Sequence, residues 1–365
     1  MDTNSTEIYQ PAPPGVFIVM DHFQGHEEIK PVAFVALLVI YAVAVLGNLL
    51  LFVSIAHESQ LHKPMYIFIA SLSLNSMCAS TITLPQIMHN LLSSGYISIT
   101  NCIAQMFFLH VTSMSECFIL TFMAVDRFFA ICHPLRYSML ITSRKAMLMC
   151  IFSAVISVLL LAGDLILISR LTFCRPRIIV MPNCDCLSLS NIGCEDITIN
   201  IIYSSIITGI GSITSVCTIL YTYSRILYDC QNSSLRKSQK KAIYTCITHF
   251  FVLSIFYVFL LFMIFHQRLK HQEVIPALMR SAFSSFYYIF PPVLNPIIYG
   301  LRMVEIRQSL AKYFTGILLV ERIVWTAGKW GAKGTEHTTL LWVLNEKLSR
   351  IIERMERQEA ITMPL

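Results

Sequence analysis

Charged side chains are scarce in this sequence. Asp, Glu, Lys and Arg together make up 13% of its 365 residues, about half of their usual share in a soluble protein. Hydrophobic residues make up 55%. Because a chain of this size has too few polar residues to cover a water-soluble fold, we interpret it as a membrane protein.

Several other classes of protein lack their sequence signals here. The formal net charge is +6, but no stripe of basic residues with interleaved aromatic residues predicts nucleic-acid binding. The apolar stretch within residues 1–30 is too short for a cleaved signal peptide. The apolar segments contain no HExxH or GxSxG pattern and no paired catalytic aspartates, so we predict neither an enzyme nor a cofactor.

Seven apolar stretches are long enough to cross a bilayer, whose hydrocarbon core of about 30 Å needs about 20 helical residues. They are residues 31–56, 64–91, 99–131, 143–169, 197–228, 241–266 and 274–300. In lipid, backbone polar groups must be paired within each segment, so these stretches are expected to be helices. The predicted fold class is an all-α membrane protein, a seven-transmembrane-helix bundle.

The distribution of Lys and Arg predicts the orientation of this bundle. More of them lie at the cytoplasmic ends of the spans if the amino terminus is outside, as the positive-inside rule requires. We therefore predict an extracellular segment over 1–30, with a glycosylation site at Asn4, and a membrane domain over 31–300. An amphipathic eighth helix is predicted over 301–315. Residues 316–365 are a cytoplasmic tail that is either partly helical or an artefactual extension.

Five motifs follow one another along the spans. They are Gly47-Asn48, LHKPMY (61–66), MAVDRFFAICHPLRY (123–137), KAIYTCITH (241–249) and PPVLNPIIY (291–299). Together they resemble the motif set of odorant (olfactory) receptors, a branch of the rhodopsin-like G-protein-coupled receptors, over about residues 17–315. The resemblance is greatest to the water-borne-odorant, fish-type branch.

The resemblance implies which residues take part in activation and G-protein coupling. Asp126 and Arg127 form an ion pair at the cytoplasmic mouth of the bundle, and the Arg is freed when the sixth span moves outward. Tyr223 is implied as a partner of Arg127 in the active arrangement. The remaining implied residues are His249, Asn295, Pro296 and Tyr299.

The outer cysteines leave more than one pairing open, because spacing does not determine connectivity. The resemblance implies a disulfide between Cys102 and Cys184 and a second between Cys174 and Cys194, which leaves Cys186 over.

One position departs from the family. The family has an Asp in the second span where this sequence has Ser76, whereas its neighbour in the third span, Glu116, is retained. A sodium ion at this place would have one carboxylate ligand instead of two, although hard cations need several oxygens. We therefore expect weak sodium regulation, with Glu116 as a weak candidate ligand.

The ligand pocket is expected between the outer halves of spans three, five, six and seven. The residues that we predict to bind the ligand are His110, Ser113, Cys117, Tyr257, Leu260, Ile264 and Arg268. Arg268 is either a bidentate partner for a small carboxylate or a solvated loop residue. Asp164 is either a polar group of the pocket or a partner of Arg170.

Two residue patterns argue against cationic amines and retinal as ligands. Leu109 occupies the position where amine receptors carry an Asp, so a cationic amine has no counter-ion there. The seventh span has no Lys that could form a Schiff base with retinal.

The predicted function is that of an odorant receptor in the plasma membrane. It binds a small, water-soluble odorant and activates a heterotrimeric G protein of the stimulatory olfactory type, which raises cAMP. Its predicted partners are the odorant, the G protein and membrane lipid. The alternatives are a rhodopsin-like receptor for a metabolite outside the olfactory epithelium, or a seven-span transporter.

Overall fold

The computed structural model describes residues 16–19, 28–92, 96–173, 178–179, 183–232, 250, 253–254, 256–262, 277–303 and 305–311. Among the predicted functional residues, Asn4, Cys174, His249, Ile264 and Arg268 lie outside these ranges, as do residues 312–365 of the tail. One compact unit extends to Ile306 and a second begins at Arg307.

Long helices account for most of the described residues. They are α1 (Lys30–His57), α2 (Pro64–Leu92), α3 (Ile99–Cys132), α5 (Ser143–Ser169), α7 (Thr198–Asn232) and α9 (Ala277–Arg302). Between them lie the short helices α4 (Pro134–Leu140) and α6 (Cys186–Asn191), and a 3-10 turn at Ser59–Leu61. Helical residues 253–254 and 256–262 are called α8, and residues 305–311 are also helical.

Local sequence signals set the beginnings of several helices. The Ser98 hydroxyl accepts the backbone N–H of Asn101 at the start of α3, and the Thr142 hydroxyl accepts that of Lys145 at the start of α5. Each hydroxyl satisfies a backbone donor that has no partner within its helix. Pro31 stands in the first turn of α1, where a missing N–H costs nothing.

The predicted membrane spans agree with these helices. In the described part of the chain, α1, α2, α3, α5 and α7 are long and apolar enough to cross a membrane. Their ends lie within a few residues of the first five predicted spans. Most of the sixth predicted span lies outside the described residues, and α9 covers most of the seventh.

The polarity of the bundle is reversed relative to that of a soluble protein. Asn48, Ser76 and Ser153 are fully buried between helices, whereas Val32 and Leu159 are 69% and 63% exposed. Polar side chains between helices and apolar ones outside are what a lipid solvent favours.

Helix α3 occupies the centre of the bundle and packs against α2, α5 and α7. The face of α5 that turns inward carries small side chains, among them Ala146, Ser153 and Ser157, which are fully buried. Small residues allow two helix backbones to approach closely in a membrane protein. The hydroxyls of Ser115 on α3 and Ser153 on α5 lie 3.4 Å apart at this contact.

A three-stranded sheet lies at the end of the bundle where α3 begins. Its order is β2 (Tyr96–Ser98), β1 (Val16–Val19), β3 (Ile178–Ile179), with β1 antiparallel to β2 and parallel to β3. A segment from near the amino terminus is therefore the middle strand between two loops. We call this the disulfide end of the bundle, and the opposite end the Asp-Arg end.

Candidate functional site

A cavity of about 100 Å³ lies inside the bundle beneath α6. Helix α3 contributes His110, Ser113, Met114 and Cys117 to its lining, and α7 contributes Ser204, Thr208 and Ser212. The remaining lining residues are Leu161, Cys186, Leu187, Leu260, Tyr287 and Tyr288. Hydroxyl, thiol and imidazole groups thus line a partly open space between several helices and a loop.

A hydrogen-bonded cluster of hydroxyls lies next to the cavity, where α3, α7 and α8 meet. The Ser215 hydroxyl contacts those of Thr121 and Tyr257 and donates to the backbone carbonyl of Cys117 at 3.2 Å. Tyr257 is 7% exposed. The cluster links three helices through Cys117, which itself lines the cavity.

The loop that covers the cavity is fixed by covalent and polar contacts. A disulfide joins Cys102, in the first turns of α3, to Cys184, as predicted. The Gln105 side chain accepts the backbone N–H of Cys184 at 3.1 Å and donates to the carbonyl of Ile82 at 3.0 Å. Gln105 therefore ties the loop to both α2 and α3. Cys194 is also disulfide-bonded.

Cys186 is a free, buried thiol in the same loop. Its sulfur lies 3.8 Å from a carboxylate oxygen of Asp164, which is 2% exposed. Burial, and then the nearby Asp164 carboxylate, raise the pKa of Cys186 to about 12. The thiol is therefore protonated at physiological pH and acts as a hydrogen-bond donor rather than as a nucleophile.

Asp185 caps α6 from its N-terminal side. Its carboxylate accepts the backbone N–H groups of Leu187 and Ser188 at 3.1 and 3.0 Å, and the Ser188 hydroxyl at 2.5 Å. The same carboxylate is close enough to His110 and Tyr288 to interact with them electrostatically. The Asp185 carboxylate therefore lies near the cavity, and its hydrogen bonds to α6 fix its position.

The Asp-Arg end of the bundle carries a buried ion pair. Arg127 donates to a carboxylate oxygen of Asp126 through Nη2 at 2.5 Å and through Nε at 3.0 Å. The other oxygen of Asp126 accepts the hydroxyl of Tyr137, on α4, at 2.7 Å. Asp126 is fully buried. Burial and the negative charge of Asp126 raise the pKa of Tyr137, so this hydroxyl remains a donor.

The prolines of α9 leave a backbone acceptor that another helix satisfies. Pro296 has no N–H, so the carbonyl of Pro292, four residues earlier, lacks its helical partner. The Asn48 side chain of α1 donates to that carbonyl at 2.7 Å. A Cβ atom on Gly47 would lie 3.0 Å from the Pro296 ring, so glycine there allows α1 to approach closely.

The predicted sodium site offers few free oxygen ligands among the described residues. Ser76 is fully buried, and its hydroxyl accepts the side-chain amide of Asn295 at 3.1 Å. Glu116, the predicted weak sodium ligand, is 7% exposed. One carboxylate and a hydroxyl already engaged with an amide do not match the several free oxygens that a hard cation requires.

Comparisons with known proteins agree with the family that the motifs indicate. The family model described as "Olfactory receptor" matches residues 37–316 of this chain. The chain belongs to the olfactory receptor family. It is 36% identical to Olfactory receptor 5H19 of Mus musculus over 287 residues, which is 77% of this chain and 90% of that relative. It is 35% identical to Olfactory receptor 6N1 of Homo sapiens over 302 residues, which is 81% of this chain and 94% of that relative.

Family membership establishes the general function of the chain. It is an odorant-sensing G-protein-coupled receptor and not an enzyme, and its fold is the predicted seven-transmembrane bundle, with several passes through the membrane. The family implies a small-molecule ligand and coupling to a G protein.

The structure of this olfactory receptor brings some of the predicted ligand residues together. His110, Ser113, Cys117 and Leu260 line the cavity. Tyr257 is not among the residues that line it, and its hydroxyl instead contacts Ser215 in the adjacent cluster. The binding roles of all these residues remain predictions.

Most of the predicted activation residues lie in the described part of the chain. Asp126 and Arg127 are paired, and Tyr223 is 5% exposed and packs against Phe250 with tilted rings whose centroids are 5.1 Å apart. Asn295 and Tyr299 are buried in α9. The resemblance implies Tyr223 as a partner of Arg127 in the active arrangement, which stays a prediction.

Sequence reasoning missed several residues of these sites. Ser204, Thr208 and Ser212 of α7 line the cavity at a spacing of four residues. That spacing places them on one face of a helix, so the signal was present within an apolar span. For Gln105, a polar residue within an apolar span was the available signal.

Proposed function

We propose that this receptor binds a small, water-soluble odorant in the cavity beneath α6 and activates a stimulatory, olfactory-type heterotrimeric G protein, which raises cAMP. The single observation that carries this proposal is the cavity itself. It joins predicted ligand residues of α3 to α7, α8 and α9. Polar groups that converge in a pocket are typical of small-molecule sites.

The connection from the cavity to the Asp-Arg end runs along α3. Cys117 lines the cavity and Asp126 and Arg127 lie further along the same helix. A ligand that favours one arrangement of α3 and α8 over another shifts the population of the receptor toward that arrangement. Release of Arg127 from Asp126 then opens the Asp-Arg end to the G protein.

We propose further that the receptor lies in the plasma membrane with its amino terminus outside. Two features support this orientation. The disulfide end carries the Cys102–Cys184 bond, and disulfides persist on the oxidising side of the membrane. At the Asp-Arg end, Lys63, Arg136 and Arg144 are exposed, as expected for a cytoplasmic face.

The test uses cells that express the full chain together with the olfactory G protein. A tag before residue 1 should bind antibody on intact cells, and water-soluble odorants should raise cAMP in a dose-dependent way. Arg127→Ala should abolish the cAMP response and leave the surface signal of the tag unchanged. A tag that is accessible only after permeabilisation would refute the orientation, and an undiminished Arg127→Ala response would refute the coupling role.

The carboxylate version of the ligand hypothesis depends on Arg268, which lies outside the described residues. Its test is a panel of short carboxylates on the wild-type receptor and on Arg268→Ala. The hypothesis requires that the response to carboxylates be lost in the variant.

A further inference from the structure

The size of the cavity limits the size of the ligand. A cavity of about 150 Å³ holds one benzene molecule, whereas the cavity beneath α6 has about 100 Å³. By this comparison the cavity itself has room for about four non-hydrogen atoms, and a ligand of about four to six fits because the cavity is not sealed. Typical drug-sized ligands need several times more volume.

Two hydroxyls of α7 that line the cavity have no hydrogen-bond partner among the described residues. They belong to Thr208 and Ser212. On the neighbouring helices, the Tyr287 hydroxyl of α9 also lines the cavity and is buried without a partner among the described residues. Ser212 is 7% exposed and lines the cavity, so a polar group of a ligand in the cavity can bond to its hydroxyl.

The two hydroxyls lie one helical turn apart on the same face of α7. Side chains four residues apart on a helix have Cβ atoms about 5–6 Å from each other. One small molecule with two polar groups can therefore reach both hydroxyls at the same time.

The charges around the cavity favour a neutral ligand. No residue that the structure shows to line the cavity is Asp, Glu, Lys or Arg. The Asp185 carboxylate above it acts on His110 and Tyr288, which opposes a second negative charge there. A cation would lose its hydration in a lining whose described residues include no carboxylate to pair with it, and the Asp185 oxygens already accept from three donors of α6.

We propose that the ligand is a neutral molecule with about four to six non-hydrogen atoms and two hydrogen-bonding groups that bridge Thr208 and Ser212. Small diols, hydroxyketones and primary amides have this chemistry. The inference rests on the proposed function, since it names the ligand class of the same cavity.

Met114 of α3 lines the cavity and contacts α7 at Gly211, next to Ser212 in the sequence. A Cβ atom on Gly211 would lie 2.8 Å from the Met114 sulfur, so the Met114 side chain packs directly on the backbone of α7. Met114→Ala should enlarge the cavity and move the preference toward diols with longer chains.

The experiment compares four compounds with the same number of non-hydrogen atoms. They are the four-carbon diol with terminal hydroxyls, the five-carbon primary alcohol, the four-carbon carboxylate and the five-carbon primary amine. Binding is measured by the thermal shift of the purified full-length receptor, and signalling by cAMP in cells. The diol should be the most potent in both assays.

The variants test the bridge itself. Thr208→Val and Ser212→Ala should each weaken the diol about threefold to tenfold, and the double variant should reduce the diol to the potency of the alcohol. Thr218→Val is the matched control on α7, because this hydroxyl donates to the carbonyl of Thr214 and does not line the cavity. It should leave the diol unchanged.

The outcomes separate this inference from the proposed function. Suppose that diol binding depends on Thr208 and Ser212, but the cAMP response is the same in Arg127→Ala as in the wild-type receptor. The proposed coupling role is then wrong, and the proposed ligand class stands. If the carboxylate acts and the diol neither binds nor signals, the ligand class is overturned and the receptor function stands. The proposed ligand class is also overturned if the diol does not bind, or if its potency is unchanged in the double variant.

Discussion

The two ends of the bundle differ in how their polar side chains are satisfied. At the Asp-Arg end, both carboxylate oxygens of Asp126 have protein partners, Arg127 and Tyr137. In the cavity beneath α6, the Thr208 and Ser212 hydroxyls have none among the described residues. Side chains that bond to other side chains of the receptor stabilise one arrangement of its helices, whereas the unpaired cavity hydroxyls are available to bond to a ligand.

The largest expected effect comes from breaking the ion pair. Asp126→Asn leaves Arg127 without its carboxylate at a buried position, and removal of one partner of a buried pair is costly. Because this loss falls on the resting arrangement, basal cAMP should rise several-fold without odorant.

The matched control for this change is an exposed ion pair. Arg225 and Asp229 lie 3.6 Å apart on α7, and their side chains are 47% and 33% exposed. Exposed pairs contribute about 0–1 kcal/mol, so Asp229→Asn should leave basal cAMP near the wild-type level. Equal effects of the two variants would contradict the contrast between the ends.

The disulfide end should depend strongly on its covalent bond. The Cys102–Cys184 bond closes a loop over a sequence separation of 82 residues. Cys102→Ser should therefore lower the free energy of unfolding by about 4 kcal/mol, measured by thermal unfolding of the purified receptor. Cys78→Ser, at a free and exposed cysteine, should have little effect, and similar losses in both would argue against the bond.

The contact between α1 and α9 should have a smaller effect. Asn48→Ala removes the donor to the Pro292 carbonyl and leaves a buried acceptor unpaired, at a cost of about 1–3 kcal/mol. The same unfolding measurement checks this value. Asn101→Ala, at an exposed asparagine, is the control, and a loss as large as that of Asn48→Ala would refute the specific role of this bond.

The smallest expected effect concerns sodium. Ser76 bonds to Asn295, and we expect odorant potency in membranes to be insensitive to replacement of sodium by choline. Ser76→Asp restores a second carboxylate beside Glu116, and sodium should then reduce odorant potency a few-fold. A sodium effect of the same size in the wild-type receptor would contradict this expectation.

The sequence predicted the spans well because their length is a local property. Bilayer thickness sets the number of apolar residues, so hydropathy locates the first five spans to within a few residues of their helices. The Cys102–Cys184 bond was also confirmed, but through the resemblance to a family rather than through spacing.

The elements that were not predicted depend on contacts between distant residues. The sheet pairs Val16 with Ser98 and Ile18 with Ile178, and strands this short have no distinct periodicity of their own. Helix α4 has seven residues, too few for a hydropathy pattern, and its Tyr137 is held by Asp126 of α3. Such elements form because another part of the chain supplies their partners.

By itself, the sequence determined that the chain crosses a membrane, where most of its helices lie and to which receptor family it belongs. Only the tertiary structure decided which side chains share the cavity, that Asn48 completes the broken helix of α9, and that Ser76 bonds to Asn295. The physical reason is that hydropathy specifies that a helix lies in lipid, while its rotation and its neighbours follow from packing among all the helices.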